Sequence, residues 1–253
     1  MRKMLVFVII ILCLFCITSC DNDKDKSLPT TSEIMLEPTE DFYLLVEYEK
    51  ELDSREIEMY VSVLSKSYLL SLSLGQDNYP TDSFSYNASL GYYSYWFDIN
   101  NIAGTFDQEL SYVLRFSDKT ISGSLAIPSE YYCVFPTFDP EQDYSLNWIL
   151  QNNPDVQNVN HTFETLDHGY YHFIRDLQPA QRSHVLDGNV WSQLDEIIGG
   201  YIVLDAINYK YTHGGLVYIS SNMFYGFGTW KHTKLQPSRL IDMLKTGRIP
   251  QAK

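Results

Sequence analysis

Cysteine is nearly absent from the body of this chain. Of the four cysteines in 253 residues, Cys13, Cys16 and Cys20 lie at the extreme start, and Cys133 stands alone beyond them. A lone thiol makes no internal disulfide, so stability has to come from packing. Cys133 sits among Tyr132, Val134 and Phe135, and reads as a small buried hydrophobe rather than a nucleophile. Positive charge is scarce as well: 18 Lys and Arg face 32 Asp and Glu, for a net charge of -14. That balance disfavours nucleic acid, whose binding rests on Lys and Arg neutralising phosphates. It also keeps the body off anionic lipid. The opening apolar run, Met4–Ile17, has 14 residues, short of the roughly 20 that span a bilayer.

Catalytic signatures are missing too. Ser220 and Ser221 lie in no G-x-S-x-G elbow. Gly226-Phe227-Gly228 lacks the third glycine of a dinucleotide loop. Acids are plentiful but scattered, so no carboxylate pair for glycoside hydrolysis stands out. No catalytic residue, metal or cofactor is assigned.

What is present begins at the first residue. Arg2 and Lys3 precede the apolar run, which ends in Ile17-Thr18-Ser19-Cys20. A basic start, a short apolar middle and small residues at its end make a secretory signal. The order apolar, small, small, Cys resembles the lipobox of bacterial lipoproteins. That resemblance implies cleavage between Ser19 and Cys20, lipid on the Cys20 thiol and acylation of the new amine. Each buried methylene contributes about 0.8 kcal/mol, so several chains hold firmly. The Asp/Lys-rich stretch Asp21 to Lys26 is similar to surface-export signals of Bacteroidetes lipoproteins. The chain is therefore expected to sit on the outer membrane, lipid-anchored and surface-exposed. Loss of residues 1–19 removes Arg2 and Lys3 and takes the net charge to -16.

Residues 20–36 read as the lipidated cysteine and a Pro/Ser/Thr-rich leash, which fully extended reaches on the order of 50 Å. Strand patterns follow. Ile57, Met59, Val61 and Val63 alternate on one face, as do Leu70, Leu72 and Leu74 with Ser71 and Ser73 opposite. Phe42–Tyr48, Tyr92–Asp98, Leu110–Phe116 and Thr120–Ile127 are further candidates. Short strands at this spacing point to a β-sandwich over 37–127. Ile127-Pro128-Ser129 marks a boundary, since residues 21–127 carry a net -12 and residues 128–253 only -4.

A second sandwich is expected over 128–234. Tyr144, Leu146, Trp148 and Leu150 share a strand face. A central tryptophan on such a strand resembles fibronectin type III and immunoglobulin-like domains. Leu177-Gln178-Pro179 before His184-Val185-Leu186 resembles the approach to a later strand in the former, although Ser183 stands where a tyrosine is usual. Asn189–Ile198 is predicted as a helical insertion, capped by Asn189, with Trp191, Leu194 and Ile198 on one face and Gly199-Gly200 as its stop. Tyr201–Tyr211 and Leu216–Trp230 around Thr212-His213-Gly214-Gly215 form the clearest hairpin. In residues 235–253, Pro237–Leu244 is predicted as a short helix that docks Leu240, Ile241 and Leu244 on the sheet.

Three candidate sites emerge. Tyr92 to Phe97 puts aromatics on both faces of one strand, so Tyr93 and Tyr95, with Trp230 on the last strand, are assigned as a ligand-stacking platform. His168 and His172, with His161, have a spacing that metal ligands use, but a structural role is favoured. Asp139, Glu141 and Asp143 cluster as calcium ligands do, without the EF-hand spacing, and read as a solvated turn. The reading as a whole is a mainly β lipoprotein that binds a glycan or a protein, or scaffolds an outer-membrane assembly, without catalysis. A surface glycan hydrolase and a structural subunit are the alternatives.

Overall fold

The computed structural model describes residues 40–228 apart from 53, 55, 81–84, 90–91, 100–101, 167–168, 193 and 195. Cys20, the leash, His168, Trp230 and Pro237–Leu244 lie outside the described residues. The described chain is mainly β, in several sheets. No helix among the described residues is long and apolar enough to cross a membrane.

The first half supplies β1 (Phe42–Glu51), β2 (Glu58–Ser65), β3 (Leu69–Leu74), β4 (Asp77–Pro80), β5 (Ser85–Ser89), β6 (Tyr92–Ile99), β7 (Glu109–Phe116) and β8 (Thr120–Ala126). The second half supplies β9 (Tyr132–Cys133), β10 (Tyr144–Ile149), β11 (Val156–Thr165), β12 (Tyr170–Leu177), β13 (Ser183–Leu186), β14 (Ile197–Thr212) and β15 (Gly215–Gly228). Eight strands form one sheet in the order β12-β11-β14-β15-β1-β2-β6-β5. β4-β3-β7-β8 and β13-β10-β9 form two smaller sheets.

The large sheet runs through both halves of the sequence. Its centre is the β14–β15 hairpin, closed by His213 and Gly214, both at positive φ. A two-residue turn of that hand matches the right-handed twist of the strands it joins. β15 then pairs with β1 in parallel, from Phe42 opposite Gly215 to Glu51 opposite Phe224. Phe42 lies over Gly215 so closely that a Cβ there would meet its ring at 2.1 Å. One long strand thus serves two cores. Val217 and Ile219 pack with β1, β2, β3 and β7, while Met223 packs with β10, β11 and β14. At the expected boundary Asn152 ties the halves further: its N–H donates to Ser129 Oγ at 2.9 Å and its Nδ2 to Asp107 Oδ1 at 2.7 Å.

Alternation explains most of the packing. Met59, Val61 and Val63 enter the first core, and Tyr144, Leu146, Trp148 and Leu150 the second. The β3 stripe needs a correction. A register shift between Leu69 and Ser71 turns Leu69 inward with Leu72 and Leu74 and leaves Leu70 exposed. A bulge adds one residue to one strand and so changes which side chains face in.

The predicted helix over Asn189–Ile198 is also corrected. Among the described residues a 3-10 turn, Gly188–Val190, stands there, and its cap is Asp187, whose side chain accepts from Asn189 N. Trp191 and Leu194 still reach the second core. Gly199 and Gly200 do not stop a helix but lie inside β14. A Cβ on Gly200 would stand 2.2 Å from Thr162 O, so the close strand approach demands glycine.

Candidate binding surface

The small sheet β13-β10-β9 buries one face and bares the other. β10 alternates strictly, sending Tyr144, Leu146 and Trp148 inward and Ser145, Asn147 and Ile149 outward. Ile149 lies directly opposite Tyr132 of β9. Tyr132 is 58 % exposed, Ile149 69 % and Val134 83 %, and Val185 on β13 is exposed as well. The inward side chains fix this face. Trp148 Nε1 and Tyr131 OH both donate to Gln157 Oε1, at 3.0 and 2.9 Å, and Phe135 stacks on Tyr225 with centroids 5.1 Å apart.

Charge borders the apolar strip. Lys50 on β1 bonds Glu130 and stands 5.7 Å from the centre of the Tyr132 ring. Tyr132 OH donates to Glu130 Oε2 at 3.0 Å. That bond, together with the carboxylate's charge, raises the Tyr132 pKa. The ring therefore keeps its hydroxyl and offers a face already polarised by a cation. β9 is the edge of its sheet and only two residues long. An edge of this kind can accept a further strand from another chain.

The platform residues are placed differently from the expectation. Tyr95 is fully buried in the first core, where Leu69 N–H donates to its hydroxyl at 2.9 Å. Tyr93 is half-buried, stacked on Tyr95 and set edge-on to Tyr68. Trp96, on the opposite face, meets solvent. A ring sealed between two sheets cannot stack on a sugar, and this removes Tyr95 from a surface site. Trp230 lies outside the described residues.

His161 and His172 do not converge. His161 pairs with Phe173 across β11–β12 and points into the second core, whereas His172 sits opposite Thr162 on the other face. Burial pushes the His161 pKa down to about 3. Thr162 Oγ1 and His172 Nδ1 are 2.8 Å apart. Among the described residues no group of three metal-ligating side chains comes together.

Two acids of the Asp139 loop serve the backbone. Asp139 Oδ1 accepts from Glu141 N at 2.9 Å, and Asp143 Oδ1 from Gly188 N at 2.7 Å. Cys133 donates to Asn147 O at 3.2 Å, and burial pushes its thiol up to about 12. A thiol so rarely ionised is a poor nucleophile. The exposed strip escaped sequence reading because Tyr132, Val134 and Ile149 look like core-forming residues. Only the strict alternation of β10 signals that Ile149 faces out.

No family model matches the chain, and no curated protein matches it. Among solved structures, dimeric latent PorU from Porphyromonas gingivalis aligns with 71 % of this chain at 9 % identity and a TM-score of 0.22. The alignment covers 18 % of that chain. So slight a likeness carries no argument about this protein.

Proposed function

We propose that this protein is a lipid-anchored, non-catalytic binding or scaffolding component of the bacterial outer membrane, and that its ligand is a protein segment rather than a glycan. Lipid on Cys20 holds the chain at the surface, and the leash to residue 36 gives the body reach. The acidic body does not need to touch anionic lipid.

The exposed strip Tyr132–Ile149, with Val134 beside it and the Lys50–Glu130 pair at its border, carries the binding reading. An aromatic anchor with aliphatic neighbours and a charged rim is what a protein interface uses. The open edge of β9 adds backbone groups for an incoming strand. The two-sandwich, fibronectin-like description of the body belongs to this proposal too, as layers formed by the large sheet and each small one.

The hydrolase alternative needs two carboxylates across an open cleft. Glu49 and Asp205 share a face of the large sheet, but both are buried. They have no access to a polymer.

The test uses the full chain in its own cells. A photo-crosslinking amino acid at position 149 is expected to give a discrete protein adduct, and the same probe at exposed Leu166 none. Cys20→Ala is expected to abolish fatty-acid labelling. A glycan-array signal that Tyr132→Ala leaves unchanged would place the ligand elsewhere and sink the reading.

A further inference from the structure

β8 ends the sheet β4-β3-β7-β8, and among the described residues it pairs with β7 alone. It is seven residues long, carries no charge and no proline, and keeps an unbroken register with β7. Edge strands are ordinarily guarded by charge, proline, a bulge or shortness. The opposite edge, β4, is guarded: it has four residues, Asp77 and Pro80 among them. β12, an edge of the large sheet, carries Arg175 and Asp176. β8 has no such device.

The hydrogen-bonding groups of this edge follow from the ladder. Ile127 N–H donates to Gln108 O at 2.9 Å, and Phe116 N–H donates to Lys119 O at 2.8 Å. Alternate residues of an antiparallel pair exchange bonds, so the odd-numbered residues between Lys119 and Ile127 face β7. Thr120, Ser122, Ser124 and Ala126 therefore turn their N–H and C=O groups away from it. Asn208 Nδ2 donates to Ala126 O at 2.9 Å and closes that end. Thr120 and Ser122 are exposed and Ser124 is half-buried, which leaves the rest of the edge open to solvent.

We propose that this edge pairs antiparallel with the same edge of a second copy of the chain, about a two-fold axis at Gly123. The strand reads nearly alike in both directions: Ile121-Ser122-Gly123-Ser124-Leu125. In that register Gly123 meets its own counterpart, Ile121 meets Leu125 of the second copy, and Ser122 meets Ser124. Apolar side chains face apolar ones. Ser122 and Ser124 both direct their backbone to the edge, so each outward N–H finds an outward C=O. A slip of one residue would set outward groups against inward ones. A slip of two would set Ile121 or Leu125 against Gly123.

Charge agrees with this register. Arg115 lies opposite Thr120, and Glu109 opposite Ala126. Thr120 meets Ala126 of the second copy, so each such row joins exposed Arg115 of one copy to exposed Glu109 of the other, roughly 14 Å apart across three strand spacings. Opposite signs share these rows. The contact is isologous and closes on itself, and the joined sheet ends at both sides on guarded β4. It is separate from the Tyr132–Ile149 strip and does not rest on it.

Cysteine trapping in the full chain tests the pairing. Chains with Ser122→Cys and chains with Ser124→Cys, produced together and oxidised gently, are expected to give a reducible band of twice the chain mass. Either variant alone is expected to give at most about a tenth of that band, because its diagonal neighbours lie about 7–8 Å apart, beyond disulfide reach. Sedimentation of the full chain in mild detergent is expected to show two copies for the unaltered chain and for Ser124→Ala, and one copy for Ser124→Pro. Proline removes an outward N–H and no bond to β7. Urea unfolding followed by tryptophan fluorescence checks that the body stays folded, and the cysteine pair, which leaves the backbone unchanged, decides if it does not. A single copy of the unaltered chain would overturn the proposal. So would trapping by one variant alone at the level of the pair. A trapped band of any other mass would assign the edge to a different protein and overturn it as well.

Discussion

Trp148 Nε1 donates to Gln157 Oε1 at 3.0 Å in the middle of the second core. Gln157 is fully buried, and its Nε2 donates to the carbonyls of Gln178 and Gln181. One side chain therefore satisfies two ring donors, Tyr131 and Trp148, and two loop carbonyls. Gln157→Leu orphans the two ring donors, since Gln178 O keeps the Gln181 N–H and Gln181 O keeps Arg182 Nη1, each at 2.8 Å. Each stranded buried group costs about 1–3 kcal/mol before relaxation, so a loss of about 3 kcal/mol is expected. Urea unfolding followed by tryptophan fluorescence measures it.

Phe42 and Gly215 predict a coupled pair. Gly215→Ala forces a methyl into the Phe42 ring at the parallel β1–β15 junction. Overpacking of this kind costs about 1–3 kcal/mol. Phe42→Leu in the same chain is expected to recover part of that loss. A double-mutant cycle showing simple additivity would mean the ring moves aside freely.

The pH dependence of stability follows from His161. Its folded pKa, about 3, lies below the ordinary value of 6.5 because burial disfavours the charged ring. Between pH 6.5 and 3 the unfolded chain binds a proton that the folded chain does not, so stability falls as pH falls. From pH 7 to pH 5 the loss is about 2 kcal/mol. His161→Gln is expected to lack that share, as shown by urea midpoints at the two pH values.

Cys133 is expected to resist alkylation. With its pKa near 12, iodoacetamide at pH 8 reacts at least about a hundredfold slower than with an unperturbed thiol. Unfolding in guanidinium restores the ordinary rate. Fast labelling of the folded chain would show the thiol open to solvent.

Ile149→Asp separates binding from folding. Ile149 is largely exposed, so stability is expected to change by no more than about 0.5 kcal/mol. The crosslinked adduct from a probe at Val134 is expected to disappear in the same variant. A large stability loss would show that the outer face of β10 is packed.

The sequence alone determined β1, β2, β3, β6, β7, β8, β10, β14 and β15, the β14–β15 turn and the inward faces of β2 and β10, but not β4, β5, β11 or β12. Each is a local matter: side chains alternate every second residue, and His213-Gly214 tolerates the positive φ of a two-residue turn. It did not determine that β15 pairs with β1 across more than 160 residues of chain, nor that Tyr95 is sealed while Tyr132 and Ile149 are bare. Both faces of a strand rich in aromatics look alike until another sheet covers one. The helix expected at Asn189 failed for the same reason. Trp191 and Leu194 reach the core equally well from a short turn, and the close contact of Gly200 with Thr162 holds the following residues extended. Which sheet lies over which face is a long-range packing outcome, and the tertiary structure alone decided it.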